Sequence, residues 1–575
     1  MSVAATSAIV RLPVWRARLV LAGLVLGFAL LIGRSAYLQT MRTGYLQEKG
    51  EQRYSRVLEV PATRGRILDR AGEALAVSTP VKSISVIPED FTATSTEKRQ
   101  LAQYLEMPLE ELNKRLQAEG RDFAYLKRQV SPETAESIAK LGIAGLYQQR
   151  EYRRYYPGGE VTAHVVGFTG VDDRGQEGVE LAHQSRLGGK LGSRRVIKDR
   201  LGKIIEDVGS IREAQDGADL TLSIDSKIQS LAYAVLKDSV AQHKAKAGAL
   251  VVIDSRTGEI IALANIPSFN PNNRTRLSGA QLRNRVITDS FEPGSTLKPF
   301  AIALALDRGQ VTSETVINTS AGSLQLGNHT IRDVHGEPAM TVAQVIQKSS
   351  NVGAARIALG LPREELWLLY HRVGFGQAPD LGFPGAVGGR LRPWKAWLPI
   401  EQATMAYGHG ISVSLLQLAR AYSVFARDGD MVPLSLEKVS GPVASTQIIT
   451  AQSARSMRAM LESVTQTGGT APRAGIMGWR VAGKTGTAHK QENGAYSANK
   501  YLSSFVGLAP ASNPRLIIAV AIDEPAAGQH YGGTVAAPVF AQVMQGALRL
   551  LGIPHDAPLS PIELPGEGQE VKEGT

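Results

Sequence analysis

Only one stretch of this chain is apolar for long enough to leave water altogether. Residues 19–33, LVLAGLVLGFALLIG, are closed on either side by Arg18 and Arg34. On their own they fall short of the roughly 20 residues a helix needs to cross a bilayer. Both arginines can snorkel to the interface, however, and residues 35–38 carry no charge, so a span over 17–38 fits. A cleaved signal peptide is the competing reading. Against it, no small-residue cleavage pattern follows the run, and Arg34 stands where cleavage should occur. The expectation is an uncleaved anchor over 17–38 with residues 1–16 as a cytoplasmic head. Arg11, Arg16 and Arg18 before the span nearly balance Arg34, Arg42, Lys49 and Arg53 after it, so the positive-inside count alone does not orient it. A short head and a long remainder favour the head inside. The chain has no cysteine, which leans the same way and excludes disulfides, thiolate metal sites and a thiol nucleophile.

Beyond the anchor, residues 39–217 are polar and arginine-rich, with short strand-like runs, one helical stretch and glycines at turn-like intervals. This reads as an extended β-rich module. A second region opens at Asp216 and Gly217. Asp225 is placed to cap a helix over 226–243, and a turn at Thr257 and Gly258 joins two strand-like runs into a hairpin. Helical patterns dominate 298–464, and strand patterns return at 479–483, 505–509 and 516–522. Strands at both ends with helices between predict an α+β domain, one antiparallel sheet flanked by helices, over 218–553. Residues 554–575 read as a flexible tail. The net charge of +11 would suit nucleic acid, but basic and acidic residues are interspersed and aromatics are only 6%, so no stacking stripe forms and nucleic acid is not expected. The histidines show no metalloprotease spacing, and neither a metal nor a cofactor is expected.

Gly478 to Thr485, GWRVAGKT, fits the phosphate-cradling pattern G-x-x-x-x-G-K-T. That chemistry needs a buried strand before the first glycine and a helix starting at the lysine. Residues 470–475 are loop-like, Gly486 sits in the first would-be helical turn, and Trp479-Arg480-Val481 alternates like a strand. A nucleotide site is therefore rejected.

A different set of residues forms a coherent site. Ser295 and Lys298 stand at Ser-x-x-Lys spacing, as do Ser95/Lys98, Ser137/Lys140, Ser435/Lys438 and Ser497/Lys500. Ser295 alone follows a Pro-Gly turn and opens an apolar helical run. Backbone N–H groups there favour developing negative charge, and the i+3 lysine shares the serine's face. Burial beside other cations would lower the lysine's proton affinity enough for it to act as a base. Ser349, with Ser350 and Asn351, sits where a helix starting near Thr341 ends. Ser349 offers a hydroxyl to relay a proton, and Asn351 an amide to orient a carbonyl or a lysine. In Lys484-Thr485-Gly486-Thr487, strand alternation puts the Thr485 and Thr487 hydroxyls on one face, suited to a carboxylate. Gly486 leaves room for a ligand backbone to pair with the strand. Ser-x-x-Lys, Ser-x-Asn and Lys-Thr-Gly in this order are the signature of acyl-serine enzymes that react with penicillin.

With these motifs the chain resembles the class B penicillin-binding proteins, and within them the septal branch. Further matches are Arg64, Gly65, Asp69 and Arg70; Arg153 with Arg154; Glu180; Lys198, Asp199, Arg200, Leu201 and Gly202; and Tyr407, Tyr501 and Tyr531 near the cleft. The resemblance implies a pedestal (dimerisation-like) domain over 39–217 under a serine β-lactamase-like transpeptidase domain. It implies a D,D-transpeptidase that cross-links peptidoglycan stem peptides through an acyl-serine at the division septum and is a β-lactam target. Ser295 would be the nucleophile, Lys298 the base, Ser349 the relay and Lys484 electrostatic support. The N–H groups of Ser295 and Thr487 would form the oxyanion hole. Arg64, Gly65, Asp69, Arg70, Arg153 and Glu180 would be structural. Implied partners are an FtsW-like glycosyltransferase, other division proteins and the inner membrane, with the bulk of the chain in the periplasm. A serine D,D-carboxypeptidase, a β-lactam hydrolase or a penicillin sensor on the same fold is the alternative.

Overall fold

Runs of small and branched apolar residues build the central sheet, and every residue of AGALVVID (Ala247–Asp254) is buried, so helices must cover both of its faces. The computed structural model describes residues 13–42, 44, 55–117, 124–198, 204–334, 336–492 and 494–560. Residues 1–12 of the head, the motif residues Asp199, Arg200, Leu201 and Gly202, and residues 561–575 lie outside these. Helix Val14–Thr40 contains the expected span, has mean hydropathy 2.1 over its most apolar window and buries no residue. Its length of about 40 Å is ample to cross a bilayer.

Contacts separate two units. The first comprises residues 1–62, 81–151 and 190–215, and the second residues 63–80, 152–189 and 216–575. The stretch 39–217 is thus divided between them. In the first unit, strands Ser55–Val60, Gly192–Lys198 and Ile204–Arg212 form one sheet. Where one helical stretch is expected across 39–217, the described residues of this unit between 81 and 151 include the helices Ser95–Tyr104, Leu109–Leu116 and Pro132–Ala139, around Leu101, Leu105, Leu112, Leu126 and Ile138. The first and third are set by side-chain caps, whereas Leu109–Leu116 follows Pro108 with no side-chain cap. Thr94 and Glu97 form a reciprocal capping box, and the Ser131 hydroxyl accepts from Thr134 N–H before Pro132 at the first helical position.

In the second unit, helix α1 (Ser226–Gln242) leads into strands β1 (Ala247–Asp254) and β2 (Ile260–Ile266). Helices α2 (Lys298–Asp307), α3 (Val342–Gln347), α4 (Asn351–Leu359) and α5 (Leu415–Ala421) follow. Strands β3 (Ala482–Glu492), β4 (Ala495–Ala509) and β5 (Leu516–Asp523) complete the sheet, and α6 (Ala537–Leu550) comes after it. The order is β2-β1-β5-β4-β3, antiparallel throughout, with β3 at one end. Asp225 caps α1 as expected, accepting from the N–H groups of Lys227 and Ile228. Leu236 and Val240 of α1 lie against Gly248 on one face, and α5 packs on β1 and β5 from the other. Residues 554–556, expected at the start of the tail, are held: Trp479 Nε1 donates to Pro554 O, and Asp556 accepts from Arg480 N–H and Ser512 Oγ.

The arginine-rich motifs form a buried cluster in this unit. Glu180 accepts from Arg64 Nε and Arg154 Nε, both at 2.6 Å, with all three side chains at most 1% exposed. Arg154 also donates to Gly65 O, and Arg64 to Glu180 O, Asp173 O and Gln184 Oε1. Arg153 needs correction: strand alternation turns Arg154 and Tyr156 inward and leaves Arg153 exposed, so Arg154 is the structural member of that pair. A Cβ on Gly65 would fall 2.2 Å from Ala218 O, which leaves room for no other residue. Asp69 accepts from Ser226 N–H and Oγ, and Arg70 reaches Glu259 at 3.4 Å. Desolvation opposes the Asp69 carboxylate, but the Ser226, Glu73 and Ala71 hydrogen bonds outweigh it and hold its pKa below the usual value.

His164 gives this unit a pH dependence. It is buried edge-on to Phe269 with Nε2 2.8 Å from Gln281 O, and burial pushes its pKa down to about 4. Its contribution to stability is therefore full above the unfolded value of 6.5 and is lost as pH falls toward 4, because the unfolded chain takes the proton first. The loss amounts to roughly 3 kcal/mol at most. Asp173 works in the opposite direction, since burial raises it to about 6 against the pull of Arg64 and Arg154. Thermal melts of wild type and His164→Gln isolate the histidine. The variant is expected to gain on wild type progressively from pH 6.5 to 4, and parallel curves would show that His164 does not titrate this way.

Candidate active site

The chain turns sharply before the apolar helix α2. Gly294–Leu297 forms a 3₁₀ turn, and Lys298 opens α2 one turn after Ser295. Nζ of Lys298 hydrogen-bonds Ser295 Oγ at 2.8 Å, Ser349 O at 2.6 Å and Ser349 Oγ at 3.0 Å. Nζ of Lys484 reaches the same Ser349 Oγ at 2.9 Å. A continuous chain thus runs Ser295–Lys298–Ser349–Lys484. Both lysines are 0% exposed, Ser295 3% and Ser349 2%. Ser349 lies in the break between α3 and α4 with φ +61°, an uncommon conformation for serine that lets its carbonyl and its hydroxyl meet one amine. The break is held by Asp333, which accepts from Ser350 Oγ, Asn351 N–H and Val352 N–H. The Asn351 amide donates to Arg332 O at 3.2 Å, so it is engaged with backbone in this structure.

Lys484, Thr485, Gly486 and Thr487 lie within β3, paired to β4 from Ala482 onward, and no helix follows the lysine. The phosphate-loop context is therefore absent. Thr485 Oγ1 lies 2.9 Å from Thr470 Oγ1, and Thr487 Oγ1 accepts from Gly532 N–H at 3.0 Å. Gly486 has a packing use beside the one expected. A Cβ there would fall 2.9 Å from Thr296 Cγ2 and 3.0 Å from Pro293 O, so the glycine lets the strand lie directly against the nucleophile turn. A buried serine joined through amines to a second serine, beside an edge strand of known register, can form and release an ester while holding an extended peptide.

The profile of the penicillin-binding protein transpeptidase domain matches residues 248–545, more than half of the chain. The chain belongs to the penicillin-binding transpeptidases. The penicillin-binding protein dimerisation domain matches residues 59–222 of the same chain. This penicillin-binding transpeptidase is 43% identical over 550 residues to the peptidoglycan D,D-transpeptidase FtsI of Escherichia coli, covering 94% of this chain and 93% of the relative. It is 43% identical over 549 residues to the probable peptidoglycan D,D-transpeptidase PenA of Neisseria gonorrhoeae, covering 95% and 94%. Among solved structures it is similar to the apo transpeptidase domain of Burkholderia pseudomallei penicillin-binding protein 3. That match has 49% identity and TM-score 0.55 and covers 59% of this chain and 98% of that one. The order of N-terminal apolar helix, dimerisation domain and transpeptidase domain and the mixed α+β class agree with the sequence reading.

Around the penicillin-binding transpeptidase centre the three tyrosines differ. Tyr501 stacks on His530 at 4.1 Å and meets His489 at 4.6 Å, and His530 meets Tyr531 at 4.4 Å, so two of the expected tyrosines belong to one aromatic wall alongside β3 and β4. Tyr407 is buried with Ile331, Val352, Ala355 and Ala403, and its phenol pKa is raised by burial first and then by Tyr496 and Asp333. Sequence reasoning assigned no role to Asp333, Thr470 or Glu292. Glu292 accepts from Gly410 N–H, Tyr496 Oη and Gln491 Nε2 and lies 3.6 Å from His409, which links the nucleophile's lead-in to the β3–β4 hairpin. Burial lowers the His409 pKa against the pull of Glu292. No fixed spacing ties these residues to the motifs; only their contacts reveal them.

Proposed function

We propose that this chain cross-links peptidoglycan as a D,D-transpeptidase through an acyl-Ser295 intermediate, and that β-lactams stall it at that ester. The observation that carries this reading is Lys298 Nζ standing between Ser295 Oγ and Ser349 Oγ, with Lys484 on the far side of Ser349. Two buried amines packed this closely disfavour full protonation of both. The neutral Lys298 amine takes the Ser295 proton as Oγ attacks the penultimate D-alanine carbonyl of a stem peptide. Ser349 relays a proton to the departing terminal D-alanine, and Lys484 steadies the charge. The N–H groups of Ser295 and Thr487 hold the oxyanion. Thr485 and Thr487 receive the donor's carboxylate, Gly486 sets the strand against the nucleophile turn, and Asn351, Tyr407, Tyr501 and Tyr531 bound the cleft. An amine of a neighbouring strand then takes the acyl group.

The same reading keeps residues 1–16 in the cytoplasm, 17–38 as anchor, 39–217 as pedestal and 218–553 as transpeptidase domain, with the tail expected over 554–575 beginning only after the held residues 554–556. The catalytic bulk lies in the periplasm at the division site, where an FtsW-like polymerase supplies glycan strands. The Arg64, Gly65, Asp69, Arg70 and Glu180 contacts support a structural task for those motifs.

The test is intact mass after incubation with benzylpenicillin, followed by peptide mapping. One adduct per chain on the peptide containing Ser295 is expected, and none on Ser295→Ala. An adduct that persists in Ser295→Ala would end the assignment. Rapid release of hydrolysed penicillin would favour a hydrolase over a transferase.

A further inference from the structure

The reaction joins two peptides, and the edge of β3 accounts for one. A cavity of about 480 Å³ lies on the sheet face that Gly486 turns toward the nucleophile turn. Its position follows from register. Ala488 pairs with Leu502, Leu502 with Asp523, and Asp523 with Ala247, one row of neighbours on a single face. Leu502, Asp523 and Ala247 line the cavity together with Ala249 and Ala521 from the next row, and Phe291, four residues before Ser295, forms a wall. Three strand spacings from Ala488 to Ala247 span about 14 Å, the length of roughly four extended residues. The floor is alanine, so a peptide backbone can lie close to the sheet.

Charge adds a direction. Lys246, Arg283, Arg285 and Lys490 line the cavity with Asp289 and Asp523. The lysines are matched: Lys490 pairs with Asp523 and Glu524, and Lys246 with Glu524. The guanidiniums are not, since Arg283 and Arg285 share Asp289. Arg285 Nε is buried without a hydrogen-bond partner among the described residues. That end carries one surplus positive charge, which favours a carboxylate.

We propose that this cavity is the subsite for the acceptor strand, a peptide whose amine reaches the acyl-Ser295 carbon and whose free carboxylate lies against Arg283 and Arg285. The inference rests on Ser295 as the acyl-bearing residue. In the transfer step the acceptor nitrogen forms the new amide bond, the ester C–O bond to Ser295 breaks, and the amine's proton returns to Ser295 Oγ. Water competes for the same ester, so the subsite acts on the partition between transfer and hydrolysis.

The experiment uses the full chain in detergent, a D-alanyl thioester as donor, and a tetrapeptide amine as acceptor with either a free or an amidated C-terminus. Mass spectrometry reads the ratio of transfer to hydrolysis product, which is independent of how fast the ester forms. The free carboxylate is expected to raise that ratio about tenfold in wild type. Arg283→Glu, at a half-exposed side chain, is expected to erase the preference, and Ala521→Leu to lower transfer to both acceptors. Equal ratios for the two acceptors in wild type, or an unaltered preference in Arg283→Glu, would overturn the subsite. A wild-type chain that forms no ester at Ser295 would instead remove the serine reading beneath it, and the subsite with it.

Discussion

Lys298→Met is expected to slow acylation by labelled penicillin about 10³-fold, the range in which a positioned general base contributes. Met matches the length of the lysine stem and removes only the amine that links Ser295 Oγ to Ser349. The same change takes one of two buried amines out of the site, so the thermal midpoint is expected to hold or rise. The opposite signs are what make the test informative: a variant that merely damaged the fold would lose both activity and stability. Second-order acylation rates and a melt on the same preparation suffice. Acylation within tenfold of wild type would remove Lys298 from the role of base and leave Lys484, which also touches Ser349, as the group to examine.

Glu180→Ala is expected to cost the second unit about 3–5 kcal/mol, because it strands two buried guanidiniums. Arg64 and Arg154 keep their carbonyl partners at Asp173, Gln184 and Gly65, but no other carboxylate replaces the two 2.6 Å contacts. Glu180→Gln retains the shape and one acceptor oxygen and is expected to lie between wild type and alanine. Denaturant melts of the three proteins order the effect. A loss below about 1 kcal/mol for the alanine variant would mean that water reaches the cluster and that the three side chains are not the closed unit their burial describes.

Much of the centre was legible in the sequence because local chemistry fixes it. A Pro-Gly turn before an apolar run places Ser295 at a helix start, and i to i+3 spacing brings Lys298 onto the same face. The Thr341 capping box starts α3, and Ser349 falls where that helix stops. What sequence could not carry was set across the fold. Asp333 holds Ser350 and Asn351 from a separate loop, and Gly486 is required by Thr296 and Pro293, which lie nearly two hundred residues earlier. Arg153 and Arg154 are adjacent and chemically alike, so only the phase of the strand decides which is buried. The helices of the first unit are hard to separate in sequence because eight to ten residues give only about two to three turns of pattern to read.

The register of β1 has a consequence for how the protein is made. Residues 247–254 pair with residues 516–523, and β2 is already attached to the other side of β1. At synthesis rates of about 5–20 residues per second, the hairpin of β1 and β2 waits roughly 13–50 s for its missing neighbour to emerge. During that interval a largely apolar ribbon presents an unpaired edge, the condition in which strands capture unrelated chains. A nascent chain of this design must be shielded until about nine tenths of it has been made, and no fragment ending before residue 516 contains the complete sheet.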